Sequence, residues 1–383
     1  MNKKQIRKAL CLFSVCLALT AGTVFLSSCG KEAEPEEEVT QAESENETKN
    51  TENEEKEQSV VKNELGYIVI SPKEGDRSAE IQKIINENPN QTIFFQNGTY
   101  NLSRPIKTPA DPTKSVSLRL AEFAVLRADT VWKMQGAVVQ LGATEPANDT
   151  HTPGSNYSFE GGIIDGSGVA DGISINGGRE TAIRNVSIKN AVVGVHVLYG
   201  ANSGSSDADI SSLNIIGNGT NDSIGLLVEG FDNTFTNIRI GFVQKGVVLK
   251  SGGNMLRNIH PLYYGSYDKY TESCGFVDEN GDNWFDYCYS DQFGIGFRTT
   301  TNGNSVFRNC FCYWWSPNGE TQTAFRADKK FNSNVTDFKA SFRSDRKNNF
   351  LLTCGQAGGT GFFRDLITNE SLIEPDDHKD YIR

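Results

Sequence analysis

Between His260 and Arg298 the chain gathers side chains able to move protons. His260 is the one histidine of that stretch, Asp268, Glu272 and Asp291 are carboxylates near it, and Arg298 follows. Two carboxyl groups on either side of a bond can divide acid and base roles, which would pair Asp291 with Asp268 or Glu272. One base beside one cation does different chemistry: His260 or a tyrosine abstracts a proton while Arg298 neutralises a carboxylate on the substrate. Each residue also has a plain structural use. His260 precedes Pro261 and suits a local hydrogen bond, and Arg298, like Arg326, suits a salt bridge to Asp328 or Glu279.

Rings surround these groups. Tyr263, Tyr264, Tyr267 and Tyr270 lie on one long connection, Pro261 to Ser273, and Trp314 and Trp315 stand at the start of another, Trp315 to Thr323. A short connection, Asp291 to Ile295, falls between them. Two long loops flanking a short one on a regular scaffold leave a cleft. Its expected walls are those aromatic residues, and its floor is His260, Tyr289, Asp291, Phe311 and Tyr313. Exposed rings stack on the apolar faces of sugars, whereas buried rings pack loops together, and residue type alone leaves both uses open.

Repeats supply the scaffold. A block of form Gly-apolar-x-apolar begins at Gly172, Gly194, Gly225, Gly246, Gly275 and Gly296, and Ala324 heads a seventh copy. The spacings are 22, 31, 21, 29, 21 and 28 residues. A second block follows each, clearest from Asn233, Asn254, Asn283 and Asn304, and runs into an alternating strand such as Phe235 to Ile240. Alternation with period 2 means strands with one face inward. Strand repeats at these intervals stack as rungs, each above its equivalent. Asn-Gly and Asp-Gly hairpin turns are few and off-period, which excludes a propeller or sandwich.

The expected fold class is therefore all-β, a single-stranded right-handed parallel β-helix with a short N-terminal cap helix. Ile173, Val195, Leu226, Val247, Phe276, Phe297 and Phe325 should form one interior file, and the recurrent Asn an asparagine ladder. Asp76 can cap the helix, Ile81, Ile84 and Ile85 give it one apolar face, and Pro89 closes it. Leu227, Val248 and Val277 form an outward apolar strip that needs a cover, either a loop or a second copy in a side-by-side homo-oligomer such as a trimer.

The segment RSAEIQKIINENPNQTIFFQNGTYNL, residues 77–102, is similar to the opening of pectate-lyase-superfamily β-helices, in which a cap helix precedes the first rung and a Gly-Thr-Tyr turn. Polygalacturonase-like and tailspike-like proteins share that opening. The resemblance covers roughly residues 67–345 and implies the fold, while that fold carries lyases, hydrolases, epimerases and binding proteins alike. Gly162 to Gly168 resembles the Ile-Asp-Gly-x-Gly segment of polygalacturonases, which implies a structural turn at Asp165. The Asn-Thr-Asp, Asp-Asp, Gly-His-Gly and Arg-Ile-Lys motifs of that family have no counterpart at Val169 to Gly172 or Ala191 to Gly194. Pectate lyases hold calcium on clustered aspartates. The densest carboxylates here, Asp278, Glu279, Asp282, Asp286 and Asp291, show no repeated spacing, so no metal or other cofactor is assigned.

The termini set location and charge. Lys3, Lys4, Arg7 and Lys8 precede an apolar run from Ala9 to Leu26, a secretory signal pattern. Leu26-Ser27-Ser28-Cys29 resembles the bacterial lipobox, which implies cleavage before Cys29 and its acylation. The expected domains are residues 1–29 as lipoprotein signal, 30–66 as an acidic tether and 67–383 as the β-helix. Residues 31–57 hold twelve Glu, three Lys and no aromatic residue, too little apolar surface to fold. Of the net charge of −11, the signal carries +4 and the tether −9, leaving −6 for residues 58–383. An acidic domain excludes nucleic acid as partner. Five cysteines beyond residue 58 are an odd number and prescribe no disulfide framework. These features lead to a lipid-anchored protein at the extracellular face of a membrane. Its partner is a polysaccharide, on which it works as a glycoside hydrolase or polysaccharide lyase, or which it binds as an adhesive, non-catalytic protein.

Overall fold

The computed structural model describes residues 60–109, 111–133, 136–142, 157–199, 205–264, 267–315, 321–342, 349–368 and 379–383. The signal, Cys29 and the tether up to residue 59 lie outside them. Residues 61–69 form a turn in which Val69 N donates to Val61 O at 2.8 Å, and strand Ile68–Ile70 enters the first rung.

All named strand pairs are parallel, arranged as a twenty-stranded sheet, a ten-stranded sheet and a two-stranded pair. Each full rung gives one strand to the ten-stranded sheet and two, or one long bent strand, to the twenty-stranded sheet. The expected interior file is present: Ile173, Val195, Leu226, Val247, Phe276, Phe297 and Phe325 are successive register partners and are buried. Phe276 and Phe297 stack at 4.7 Å between ring centroids, and Phe285 and Phe307 stack at 4.4 Å on the facing wall. Columns of like side chains, one per rung, make the core.

The glycine that heads each repeat has a steric cause. A Cβ on Gly194 would lie 2.5 Å from Gly225 O and 2.5 Å from Ile215 Cγ2. The position is pinched between the rung above and the opposite wall, so only hydrogen fits without displacement. Gly98 of the Gly-Thr-Tyr turn adopts φ 135°, and a Cβ there would meet Pro72 Cγ at 2.6 Å. Tyr100 beside it is fully buried and donates its hydroxyl to Ile70 O at 2.8 Å.

The cap helix spans Ser78–Glu87, with Ile81 and Ile85 buried. Asp76 acts one residue further out than a cap. It accepts from Ser78 N at 3.0 Å and from Ser103 N at 3.0 Å, tying the helix start to the end of strand Gly98–Leu102. Burial pushes its carboxyl up, but hydrogen bonds from Ser103 and Ser78 outweigh this and hold it well below the ordinary carboxylate range. At the other end, Tyr381 packs edge-on against Phe331 at 5.3 Å.

The asparagine ladder runs through Asn233, Asn254 and Asn283: Asn254 Oδ1 accepts from Asn233 N at 3.1 Å, and Asn283 Oδ1 from Asn254 N at 3.0 Å. Its fourth member is Ser305 rather than Asn304. Ser305 is buried, its Oγ accepts from Asn283 N at 3.2 Å and donates to Asp278, whereas Asn304 is exposed. Asp278 is thereby consumed inside the helix, and Asp286 lies between Arg257 and Arg308 at 3.8 and 3.1 Å. The carboxylates that looked clustered in sequence are dispersed. Among the described residues, no three His, Cys, Asp or Glu side chains converge as a metal set.

The outward strip is covered. Val248 and Val277 are each 2% exposed and join Cys274 and Ile295 in a second apolar cluster against which Ile224 and Leu227 pack.

Candidate functional site

Register brings His260, Tyr289 and Asp291 together on the outward face of the twenty-stranded sheet. His260 lies on strand Met255–Leu262 and the other two on Tyr289–Asp291, one rung later. Alternation turns Tyr289 and Asp291 to the same side, and Leu262, two residues beyond His260, is the register partner of Asp291. The His260 and Tyr289 rings stack at 4.1 Å and 16°, and Tyr289 stacks on Phe311 at 4.9 Å. Lys339 Nζ closes the pile 5.0 Å from the Phe311 centroid.

Tyr289 donates its hydroxyl to Asp291 Oδ2 at 3.1 Å, and His260 Nε2 stands 3.6 Å from the same oxygen. That His–Asp separation lies beyond a hydrogen bond. Among the described residues, Asp291 Oδ1 and His260 Nε2 are both buried without a hydrogen-bond partner. Burial, then the negative charge of Asp291, pushes the Tyr289 phenol up, so it stays protonated. A groove of about 190 Å³ opens beside His260, lined by Arg239, Phe242, Leu262 and Tyr264 among others. Arg239 is the register partner of His260 on the preceding rung.

The expected floor thus exists: His260, Tyr289, Phe311 and Tyr313 are half-buried, and Asp291 is 8% exposed. The expected walls divide. Tyr264 is exposed and stacks on Phe242 at 5.3 Å, and Trp315 is exposed with its backbone N donating to Gln292 Oε1 at 2.8 Å. Tyr263 and Trp314 are instead core residues, 3% and 2% exposed. Tyr263 packs on Phe293 at 5.3 Å and on Tyr270 at 5.5 Å, while Trp314 stacks on Phe342 at 4.6 Å and donates Nε1 to Phe293 O at 2.6 Å. Their apolar area is spent on fastening loops to the rung corner, so they are removed from the substrate-binding set.

Arg298 is also displaced. The chain turns a corner between Asp291 and Ile295, and Arg298 projects from the ten-stranded sheet, where it pairs in register with Val277 and Arg326. There it donates to Asp328 Oδ2 through Nε at 3.0 Å and Nη2 at 2.6 Å, while Arg326 Nε donates to Asp328 Oδ1 at 2.8 Å. It is a salt-bridge residue on the other wall, and Arg239 is the cation that faces His260. Glu272 is exposed at the end of the segment Tyr267–Glu272, with no hydrogen bond or ion pair to His260 or Asp291. The side chains of Tyr267 and Asp268 lie outside the described set.

Arg239 was legible: it stands 21 residues before His260, one short rung. A second polar group had no such signal. On the ten-stranded sheet, Glu229 Oε2 lies 3.3 Å from His196 Nε2 and Glu229 Oε1 2.9 Å from Lys250 Nζ. Nearby Asp171 accepts from Val193 N at 3.1 Å, and burial raises its carboxyl above the ordinary range.

Fold and groove together define a right-handed parallel β-helix with an outward-facing ionisable site. Solved structures agree on the fold. The A-module of mannuronan C-5 epimerase AlgE6 from Azotobacter vinelandii is similar at a TM-score of 0.50 and 14% identity, covering 77% of this chain and 95% of that one. A mutant tailspike protein of E. coli bacteriophage HK620, in complex with a pentasaccharide, is similar at a TM-score of 0.54 and 9% identity. That likeness covers 80% of this chain and 65% of the tailspike chain. No protein-family model and no curated protein matches the sequence.

Proposed function

We propose that the protein cleaves an acidic polysaccharide by β-elimination at His260, held at the extracellular face of a membrane by a lipid on Cys29. One observation carries the catalytic reading: in a single group, His260 Nε2 and Asp291 Oδ1 are buried without a hydrogen-bond partner among the described residues. An orphaned ionisable atom costs stability, and such a cost persists where function requires it. The epimerase and tailspike neighbours, named for mannuronan and solved with a pentasaccharide, make polysaccharides the ligands to test first.

The negative charge of Asp291, 3.6 Å from Nε2, favours the imidazole proton on that nitrogen without a direct hydrogen bond, which leaves Nδ1 as the base. Tyr289, donating to the same carboxylate, holds Asp291 in place. Arg239 neutralises the uronate carboxylate and so acidifies the neighbouring C5–H. His260 takes that proton, the electron pair closes a C4–C5 double bond as the C4–O4 bond breaks, and the proton returns to the departing oxygen. No water is consumed. Leu262, Phe242 and Tyr264 offer the sugar ring an apolar seat. Hydrolysis would need a second carboxyl across the bond, and among the described side chains Asp291 is the one carboxylate at the site.

Incubation with a panel of uronate polysaccharides tests this. Elimination yields the ultraviolet absorbance of an unsaturated uronate, lost in His260→Ala. New reducing ends without that absorbance would establish hydrolysis instead, and binding without any product would leave a glycan-binding adhesin. Radiolabelled palmitate should enter the wild-type protein and not Cys29→Ser; equal labelling would remove the anchor.

A further inference from the structure

The outward file that reaches His260 begins far below it. Register partners run Val125, Ile163, Ser187, Asn214, Arg239 and His260, one residue per rung. A second groove, of about 530 Å³, flanks this file and is lined by Arg119, Phe123, Glu160, Asn185, Ser187 and Asn214 among others. Asn214 lines both grooves, so they are neighbours along this file. From the rung of Arg119 to that of His260 there are five rung steps, about 24 Å at the spacing of neighbouring strands.

The path is open for a local reason. From Gly161 onward each rung bends between its two strand segments at a residue in left-handed conformation, and in the lower groove these include Asn185 and Ser212, with φ 59° and 58°. Short polar side chains at the bend leave the elbow hollow. Beyond His260 the same file is filled by the stacked rings of Tyr289 and Phe311, and the bend carries the exposed Tyr287. A polymer leaving His260 therefore has room in one direction along this file.

The far end looks prepared for a sugar rather than for the fold. Phe123 is 69% exposed and makes no ring contact among the described residues. Arg119 Nε stands 3.7 Å from Glu160 Oε2, both side chains more than 40% exposed, an arrangement that contributes little to stability. Together they offer a stacking face, a donor for a carboxylate and an acceptor for hydroxyls.

We infer that the polysaccharide lies along the elbow of the twenty-stranded sheet, from His260 toward the N-terminal rungs, with Phe123, Arg119 and Glu160 as a distal subsite. This rests on His260 as the reaction centre and adds a chain-length requirement to it.

The full-length protein in detergent micelles is tested with trisaccharides and octasaccharides of galacturonate and of mannuronate. The wild type should favour octasaccharides in kcat/KM by roughly tenfold, about 1.4 kcal/mol. Phe123→Ala combined with Arg119→Ala should erase that preference and leave trisaccharide cleavage unchanged. A double variant that keeps the preference, or loses both substrates equally, overturns the subsite. Both positions are exposed, so thermal melting should not move. Equilibrium binding separates the two claims. If nothing is cleaved but the double variant binds octasaccharides more weakly and trisaccharides equally, the elbow stands and the lyase reading falls. No binding of either series overturns the elbow as well.

Discussion

The two large walls of this helix carry charged side chains at comparable heights and use them differently. On the ten-stranded wall the charges are matched: Arg298 and Arg326 share Asp328, and Lys250 and His196 share Glu229. On the twenty-stranded wall, at His260, they are not. Ten buried polar side-chain atoms lack a partner among the described residues, and the ionisable ones belong to His260 and Asp291. A satisfied ion pair describes a surface that is finished. An unsatisfied one, beside an apolar groove, describes a surface awaiting a ligand.

The sharpest way to break this contrast is to remove one residue from each wall. His260→Ala should lower uronate cleavage by about 10²- to 10⁴-fold, the usual weight of a general base, whereas Arg298→Ala should leave the rate within about threefold. Equal losses would merge the two walls into one site. Next in size, Trp314→Ala should destabilise by roughly 3–5 kcal/mol in denaturant titration, while Trp315→Ala should cost less than about 1 kcal/mol. The reverse order would restore Trp314 to the substrate side. Tyr289→Phe removes the donor to a buried carboxylate. The melt should register about 1.5–3 kcal/mol, and kcat should fall by roughly tenfold or more because Asp291 loses its hold.

The smallest effect concerns the matched wall and pH. Burial pushes the Asp328 carboxyl up, but Arg298 and Arg326 outweigh it, so its folded pKa sits below the ordinary 3.8. Stability from this group is therefore present above pH 3.8 and is lost as pH falls through the depressed value. Melting temperature followed downward from pH 5 should drop less steeply in Asp328→Asn than in the wild type. Parallel curves would show that the pair adds nothing.

Much of the scaffold could be read in advance because each rung repeats one rule. The Gly-apolar-x-apolar block marks a strand in which the glycine is pinched and the next apolar residue points inward, and seven copies, the last headed by Ala324, place Ile173 to Phe325 in one file. The floor of the site followed by alternation alone: His260, Tyr289, Asp291 and Tyr313 all face outward from their strands. The ladder was legible as far as Asn283 and failed at Asn304, because at that rung the neighbouring Ser305 reaches the same backbone N–H.

What the chain could not show was set at the corners. Counting inward and outward works only while the backbone stays extended, and Phe242 and Gln292 turn it with left-handed φ of 55° and 67°. Past such a residue the alternation restarts with an unknown phase. Arg298, beyond Gln292, went to the other wall for that reason, whereas Tyr263 and Trp314 simply continue the alternation from Leu262 and Tyr313, inward between outward neighbours. The amino-acid order by itself determined the rungs, their stacking and the interior files, since those depend on local period and side-chain size. Only the tertiary structure decided which outward residues meet, because that depends on how far each corner turns the chain before the next strand begins.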